Sequence, residues 1–408
     1  MNSNRVIIAV MLVLAAPGIV LRLSGTHLGT VPDTALFGMS IVAAAFLLAW
    51  AAEAAEMDIT QGLAVAVMAL IAVMPEYAVS MAFAWRAGVE RENVELAGLA
   101  VANMTGGNRL LIGAAWPMIV LLVWWRTGAK TLVLARSFSI EVLTLAVVSL
   151  YAFTIPLKGS IELYDAVILF LGFVAYMWMV ARAPSEEPEL IGPARLIGAL
   201  PRMQRRTVLV VLFMYAAAAI LTSAEPFAEG LVHTGEQFGI DKFILVQWLA
   251  PFASEAPEFL VAGILAYRGR ASVGMGALLS SKVNQWTLLV GGLPVAYAVA
   301  VGGWHGLPLD IRATEEMFLT AAQSIFAVAV VLSLSLSLRE AVTLFALFAV
   351  TFVVPSTELR FAVAILYLVL TVALVVMQRA EVSAIWRSAR ETLAETNAAA
   401  REQEATHH

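Results

Sequence analysis

The 408-residue sequence contains no cysteine, and that absence alone removes disulfides, thiolate metal sites and thiol nucleophiles. Charge is scarce as well: 13% of residues are Asp, Glu, Lys or Arg against 61% hydrophobic ones, a balance that excludes a soluble core. The five histidines (His27, His233, His305, His407 and His408) form no cluster. No HExxH, GxSxG, phosphate-loop or dinucleotide glycine pattern occurs, and no polar connection is long enough to hold a nucleotide-driven domain. An enzyme, an ATP-driven pump and a nucleic-acid binder are therefore not expected, and neither is a cofactor. The net charge of −5 says little, because what matters is where the charges sit.

What the chain does have is long apolar runs. Stretches of about 17 to 30 residues read as spans, which places helices near 6–22, 34–56, 59–84, 95–125, 131–154, 160–181, 206–229, 241–267, 271–300, 314–337, 340–354 and 358–378. The expectation is an all-α polytopic membrane protein of about twelve transmembrane helices, or eleven if the Pro355-Ser356 break is only a kink. Basic residues set the orientation: with the N-terminus cytoplasmic, fifteen Lys and Arg face the cytoplasm and seven, Arg360 among them, face away. Both termini are thus expected inside, in a prokaryotic inner or plasma membrane. The chain divides accordingly into an N-terminal anchor over 1–33, a first repeat over 34–181, a polar linker over 182–205, a second repeat over 206–354, an extra helix over 355–378 and a cytoplasmic tail over 379–408.

Two of these spans carry a Pro-Glu pair where lipid would otherwise be expected, Pro75-Glu76 and Pro257-Glu258. An ionised carboxylate in hydrocarbon costs at least a few kcal/mol, so such residues face a cavity, a partner or a cation. Proline inside a helix also frees a carbonyl one turn earlier, near Ile71 and Ala253, which suits a cation too. The surroundings recur: Glu53-Ala54-Ala55-Glu56 precedes the first pair and Glu225-Pro226-Phe227-Ala228-Glu229 the second, and each pair is followed by a helix start rich in small residues. The Pro-Glu helices are third and eighth in order, so they cross in opposite directions, as in inverted-repeat transporters. Each glutamate lies roughly 13 Å from the end of its helix at 1.5 Å per residue, close to the centre of a core about 30 Å thick.

With Pro75-Glu76, Asn103, Gly106 and Asn108 in one half and Ser254, Pro257-Glu258 and Ser281 in the other, the chain resembles the cation/calcium exchanger superfamily as a divergent member. The resemblance covers about 34–126 and 206–300 and implies two inverted five-helix halves with additional terminal helices. It also implies a midplane site on the paired glutamates that binds the metal ion through Glu76 and Glu258, and exchange of Ca2+ or a related cation against H+ or Na+. The pattern is broken at Val73 and Glu255, at Gly107, at Ser280 and Lys282, and at Leu111 and Gln285, so several oxygens of a four-site cation cage are missing. The spacing in the first repeat is about eight residues longer, owing to the loop near Arg86 and Glu95.

Lys282, where the family carries an amide, brings a positive charge to the glutamates. It either exchanges a proton or acts as a fixed surrogate cation that lessens dependence on Na+; the plainer reading is that it neutralises Glu255. Arg109, beside Asn108, is expected to pair with Glu76. Glu255 and Glu258 share a helix face and are both expected to see the cavity, with Asn103, Asn108, Ser254, Ser281 and Gln285 as further cation contacts and Glu53 and Glu225 as gating residues nearer the boundary. Glu141 is expected in an interhelical network, and Trp124, Trp125 and Trp178 as interface anchors. A secondary active cation antiporter is the leading reading, with inorganic cations and the bilayer as partners. The alternative is a non-transporting relative locked by ion pairs among Glu76, Arg109, Glu255, Glu258 and Lys282, serving as a sensor or assembly partner. Oxygen ligands alone leave the choice of cation, and the oligomeric state, open.

Overall fold

The computed structural model describes residues 3–58, 66, 73–90, 94–182, 190, 192–240, 245, 250–267, 269–353, 356–388 and 391. Some side chains within these helices, including those of Pro75, Glu225, Ser254 and Pro257, lie outside the description.

The chain opens with α1 (Ser3–Ser24) and α2 (Thr30–Ala55), and the described part of the first Pro-Glu span is α3 (Met74–Val89). Pro75 therefore sits in the first turn of α3, where its missing N–H would have no intrahelical partner in any case. Next come α4 (Val94–Leu110), a π-helical turn (Leu111–Ala115) and α5 (Trp116–Thr127), one continuous passage. A short strand β1 (Thr131–Val133), α6 (Ser139–Ala152), α7 (Thr154–Lys158), β2 (Ser160–Ile161) and α8 (Leu163–Val180) complete the first half. The linker contributes α9 (Pro193–Gly198). The second half runs through α10 (Arg202–Gln237), α11 (Ala250–Tyr267), α12 (Ala271–Asn284), a second π-helical turn (Gln285–Leu289) and α13 (Val290–Val301). It continues with β3 (Leu307–Pro308), α14 (Ile311–Val331), β4 (Ser335–Ser337), α15 (Leu338–Val353) and α16 (Thr357–Met377). Among the described residues, eight helices are long and apolar enough to cross a membrane unaided.

The halves are copies in detail. Each π-turn recurs 174 residues along the chain, from Leu111 to Gln285, and is followed by a twelve-residue helix. Both of those helices end on a left-handed glycine, Gly128 at φ 74° and Gly302 at φ 75°, a conformation that side-chain-bearing residues resist. The same offset carries Asn108 onto Lys282 and Glu141 onto Glu315.

Crossing parity is fixed by pairs of segments distant in sequence. Strand β1 pairs antiparallel with β4, and β2 with β3, so α6 and α14 lie antiparallel with their ends tied at both faces. Asp58, just beyond α2, pairs with Arg205 at 2.8 Å and with Arg202 and Arg206 at the start of α10, and Arg86 at the end of α3 pairs with Glu229 of α10. Each of these contacts joins segments that the expected twelve passages would put on one face. Ser356 caps α16 by accepting from the Leu359 N–H, so α16 starts as a helix of its own.

Two expectations of the sequence change. The helices expected over 131–154 and 314–337 are shorter, because 131–133 and 335–337 satisfy their backbone groups by pairing across the two halves. Arg360, expected among the flanking charges, is buried at 3% exposure inside the bundle.

Buried apolar residues form two clusters. One joins α1, α2, α9 and α10 through Ala43, Ala44, Ala51, Ala216 and Ala219, small residues that let helix backbones approach closely. The other joins the remaining helices around Trp116, Trp286 and the heavily buried α14, and also takes in Leu21 of α1, Phe37 and Ile41 of α2 and Phe227 and Leu231 of α10. The candidate site lies in the second cluster, where α3 and α11 meet α4 and α12.

Candidate functional site

Glu76 in the first turn of α3 and Glu255 and Glu258 on one face of α11 arrive from opposite halves, and all three are buried, the most exposed at 6%. Gln285, at the start of the second π-turn, joins them: its amide donates to Glu76 Oε2 at 2.7 Å and to Glu255 Oε1 at 2.6 Å. Ser281 Oγ donates to Glu258 Oε1 at 2.8 Å. Glu255 stands between the others, its carboxyl within hydrogen-bonding reach of both Glu76 and Glu258. Asn103 donates to Ser80 Oγ at 2.7 Å and to the Glu76 carbonyl at 3.4 Å, and Tyr77 OH donates to the Asn284 carbonyl at 3.1 Å. The structure thus brings together Glu76, Glu255, Glu258, Asn103, Ser281 and Gln285.

Close approach of a helix backbone makes this possible. A Cβ on Gly107 would lie 2.4 Å from Glu76 Oε1 and 3.1 Å from Glu255 Oε1. Only glycine leaves room for both carboxyls against α4.

Five buried oxygens of this set meet no hydrogen-bond donor among the described residues: Glu76 Oε1, Asn103 Oδ1, Glu255 Oε2, Glu258 Oε2 and Gln285 Oε1. Buried lone pairs without donors are costly, and carboxyls this close repel one another unless positive charge stands between them. Oxygens of this kind are the ligands hard cations select. Among the described residues no three Asp, Glu, His or Cys side chains are already arranged to hold a metal ion. A cation here would therefore draw on amide oxygens as well as carboxylates.

Lys282 is fully buried and lies within electrostatic reach of Glu76 and Glu255, but its hydrogen bonds go elsewhere. Its ammonium donates to the Asn108 carbonyl at 2.7 Å and also to Asn108 Oδ1, the residue that occupies its own position in the other repeat. Asn108 is oriented for this because its Nδ2 donates to the Met104 carbonyl at 3.0 Å.

Arg109 corrects a second expectation. It pairs with Glu316 of α14, not with Glu76, and donates to Thr351 Oγ1 at 3.0 Å, while Gln323 donates to its carbonyl. Arg360 of α16 reaches the same Glu316 at 3.1 Å and Glu315 at 3.6 Å. Adjacent residues on a helix point about 100° apart, so Arg109 turns toward α14 while Asn108 faces the site. Two arginines and two glutamates balance in this separate network, and the expected five-membered lock lacks Arg109. The sequence reading missed Glu315, Glu316 and Arg360; the signal was two adjacent acids inside a span, one of them the repeat mate of Glu141.

Of the remaining candidates, Glu53 lies in the last turn of α2, near Glu56, which Arg270 also approaches. The side chains of Ser254 and Glu225 lie outside the described residues. Glu141 joins the expected interhelical network: Tyr176 OH donates to Ser280 Oγ at 3.0 Å and lies 3.4 Å from Glu141 Oε1. Trp124, Trp125 and Trp178 are exposed near helix ends.

The family model described as "Sodium/calcium exchanger protein" matches residues 34–182 and 208–379, the second segment running on through α16. The chain belongs to the sodium/calcium exchanger family. A solved H+/Ca2+ exchanger, CAX, is 39% identical over 96% of this chain and 99% of its own, with a TM-score of 0.92. The Ca2+/H+ antiporter protein YfkE, at 16% identity, covers 84% of this chain and 99% of its own with a TM-score of 0.61. The sodium-calcium exchanger NCX_Mj, at 18% identity, covers 79% and 97% with a TM-score of 0.56. These last two share the fold. No curated protein matches the chain. Family membership and the apolar helices make this a multi-pass membrane protein of an exchanger class, with transporters and not enzymes as its relatives.

Proposed function

We propose that the chain is a secondary active antiporter that exchanges Ca2+ against H+ at a site built on Glu76, Glu255, Glu258 and Gln285. The observation that carries this reading is the convergence of three buried carboxyls from two inverted repeats on a set of oxygens without donors. Five such oxygens, with the Ser281 hydroxyl alongside, approach the six to eight that Ca2+ takes. Protons satisfy the same carboxyls when the cation leaves, which makes occupation by Ca2+ and by H+ mutually exclusive. The 39% identical H+/Ca2+ exchanger supports H+ as the counter-ion.

Alternating access fits the packing of α1, α2, α9 and α10. Small residues line the apolar cluster these helices share, and α1, α2 and α10 also reach into the larger cluster around the site. Movement of these helices against the site-bearing ones would open the carboxyls to each face in turn while the site itself stays fixed.

The test is uptake of radioactive Ca2+ into proteoliposomes under an imposed pH gradient, with Glu76→Gln and Glu258→Gln as controls. Uptake is expected to track the pH gradient and to fall in both variants on the order of a hundredfold, the usual scale for losing one charged ligand of a buried site. Uptake that ignores both substitutions would overturn the reading.

A further inference from the structure

The charge balance of the site differs from what its residue types suggest. With Arg109 drawn into the separate network of Glu315, Glu316 and Arg360, the site keeps Glu76, Glu255, Glu258 and Lys282. Fully ionised, that set carries two negative charges, matching one divalent cation. The positions of the two repeats also matter. Asn108 and Lys282 are repeat mates and bond each other directly, so the Lys282 ammonium takes up the carbonyl and amide oxygens that Asn108 would otherwise turn to a cation. Both residues are fully buried. Asn108 cannot turn away, since Met104 holds its amide nitrogen.

We propose that Lys282 is a built-in cation that fills a second cation position between the repeats, leaving the site one exchangeable divalent cation and excluding Na+. This inference rests on the function proposed above. An ammonium fixed in a partly dehydrated site weakens a monovalent cation about 5 Å away by on the order of a hundredfold. A divalent ion is repelled too, but three carboxylates more than offset this. One Ca2+ exchanged for two monovalent charges moves no net charge across the membrane.

Two arms in proteoliposomes test the proposal. In the unsubstituted protein, the equilibrium Ca2+ gradient reached under a fixed pH gradient is compared at zero potential and at a clamped potential of about 100 mV. It is expected to be unchanged; movement of one net charge per Ca2+ would shift it about 50-fold and overturn the proposal. In the second arm, Lys282→Asn restores an amide pair with Asn108, and Na+ is expected to inhibit Ca2+ uptake at concentrations at least about tenfold lower than in the unsubstituted protein, a shift of about 1.4 kcal/mol. Lys282→Arg, which keeps the charge, is expected to retain Na+ exclusion. Unaltered Na+ sensitivity in a folded Lys282→Asn protein would also overturn the proposal, and if that variant does not fold, the first arm and Lys282→Arg decide. The two readings fail separately: absence of Glu76-dependent Ca2+ uptake defeats the proposed function, whereas Glu76-dependent uptake that responds to potential defeats only the role of Lys282.

Discussion

Gly107 offers the most direct probe of the proposed site, because it touches both carboxyls and contributes no side chain of its own. Its backbone is ordinary α-helix, so Gly107→Ala strains nothing locally and would by itself favour the helix by about 0.5–1 kcal/mol. The new methyl would lie 2.4 Å from Glu76 Oε1 and 2.8 Å from its Cδ, where ordinary contact begins at 3.4 Å. The carboxylate must therefore retreat by about 1 Å, close to half of a Ca2+–oxygen distance of about 2.4 Å. It is the far end of a flexible side chain and can yield without unfolding the bundle. As a ligand it cannot yield without loss. Displacement on this scale is expected to weaken Ca2+ binding by about tenfold to a hundredfold, or about 1.4–2.8 kcal/mol.

The assay is equilibrium binding of radioactive Ca2+ to purified protein beside a thermal unfolding curve. Gly263→Ala on α11 serves as the matched control, since its Cβ would meet only Met118 Cε at 3.5 Å and Leu122 Cδ1 at 3.7 Å. The expected signature is lost affinity with unchanged or raised stability at Gly107, and unchanged affinity at Gly263. Equal Ca2+ affinity in a folded Gly107→Ala protein would mean that the carboxyls beside α4 do not hold the cation.

Three further outcomes are expected. Arg360→Leu leaves Glu315 and Glu316, among the described residues, with only Arg109 as a buried counter-charge and should destabilise the protein by about 3–5 kcal/mol, read as a lower unfolding temperature that a second substitution, Glu315→Gln, partly restores. Burial and the nearby Glu53 push Glu56, in the turn beyond α2, up to about 7, against the lowering influence of Arg270. Such a group binds more protons folded than unfolded, so stability is greatest below about 4.5 and falls as pH rises toward about 7, by at most about 3 kcal/mol; Glu56→Gln should flatten the dependence of unfolding temperature on pH. Asp58 is held below the usual carboxylate range by its hydrogen bond to Arg205, which also donates to the carbonyls of Gly198 and Leu200. That stabilisation is present above about 4 and is lost as pH falls further, so acid, or Asp58→Asn at neutral pH, should raise the protease sensitivity of the segment around α9, and an unchanged cleavage pattern would refute the anchoring role.

How much of this was legible beforehand depended on whether a feature is local. Apolar runs report their own length, and a Pro-Glu pair inside one is conspicuous in the linear chain, so a helical, multi-pass chain and the meeting of Glu76 with α11 could be anticipated. The strand pairs could not: Thr131–Val133 becomes a strand only because Ser335–Ser337, some two hundred residues away, comes to lie beside it. Arg109 was misassigned for a related reason. Its neighbour Asn108 belongs to the site, yet one residue of helix rotation turns the guanidinium toward α14, and only the packed bundle reveals that Glu316 waits there. The role of Gly107 was also out of reach, because a missing side chain matters only once its neighbours in space are known.

The repeats explain why the asymmetries carry the information. Backbone symmetry is close, down to matching π-turns and matching left-handed glycines, so each pair of equivalent positions was built by the same geometry and any difference between them lies in the side chain. A π-turn inserts an extra residue into a helix and rotates the turns before it relative to the turns after it. Gln285 opens one π-turn and reaches two carboxyls, whereas Leu111 opens the other and is buried among apolar residues. Asn108 and Lys282, equivalent in backbone, meet as acceptor and donor. Oxygen and charge thus differ between the two sides of the pseudo-twofold axis, and it is this difference that underlies the proposal of one exchangeable cation where a symmetric site would have room for more.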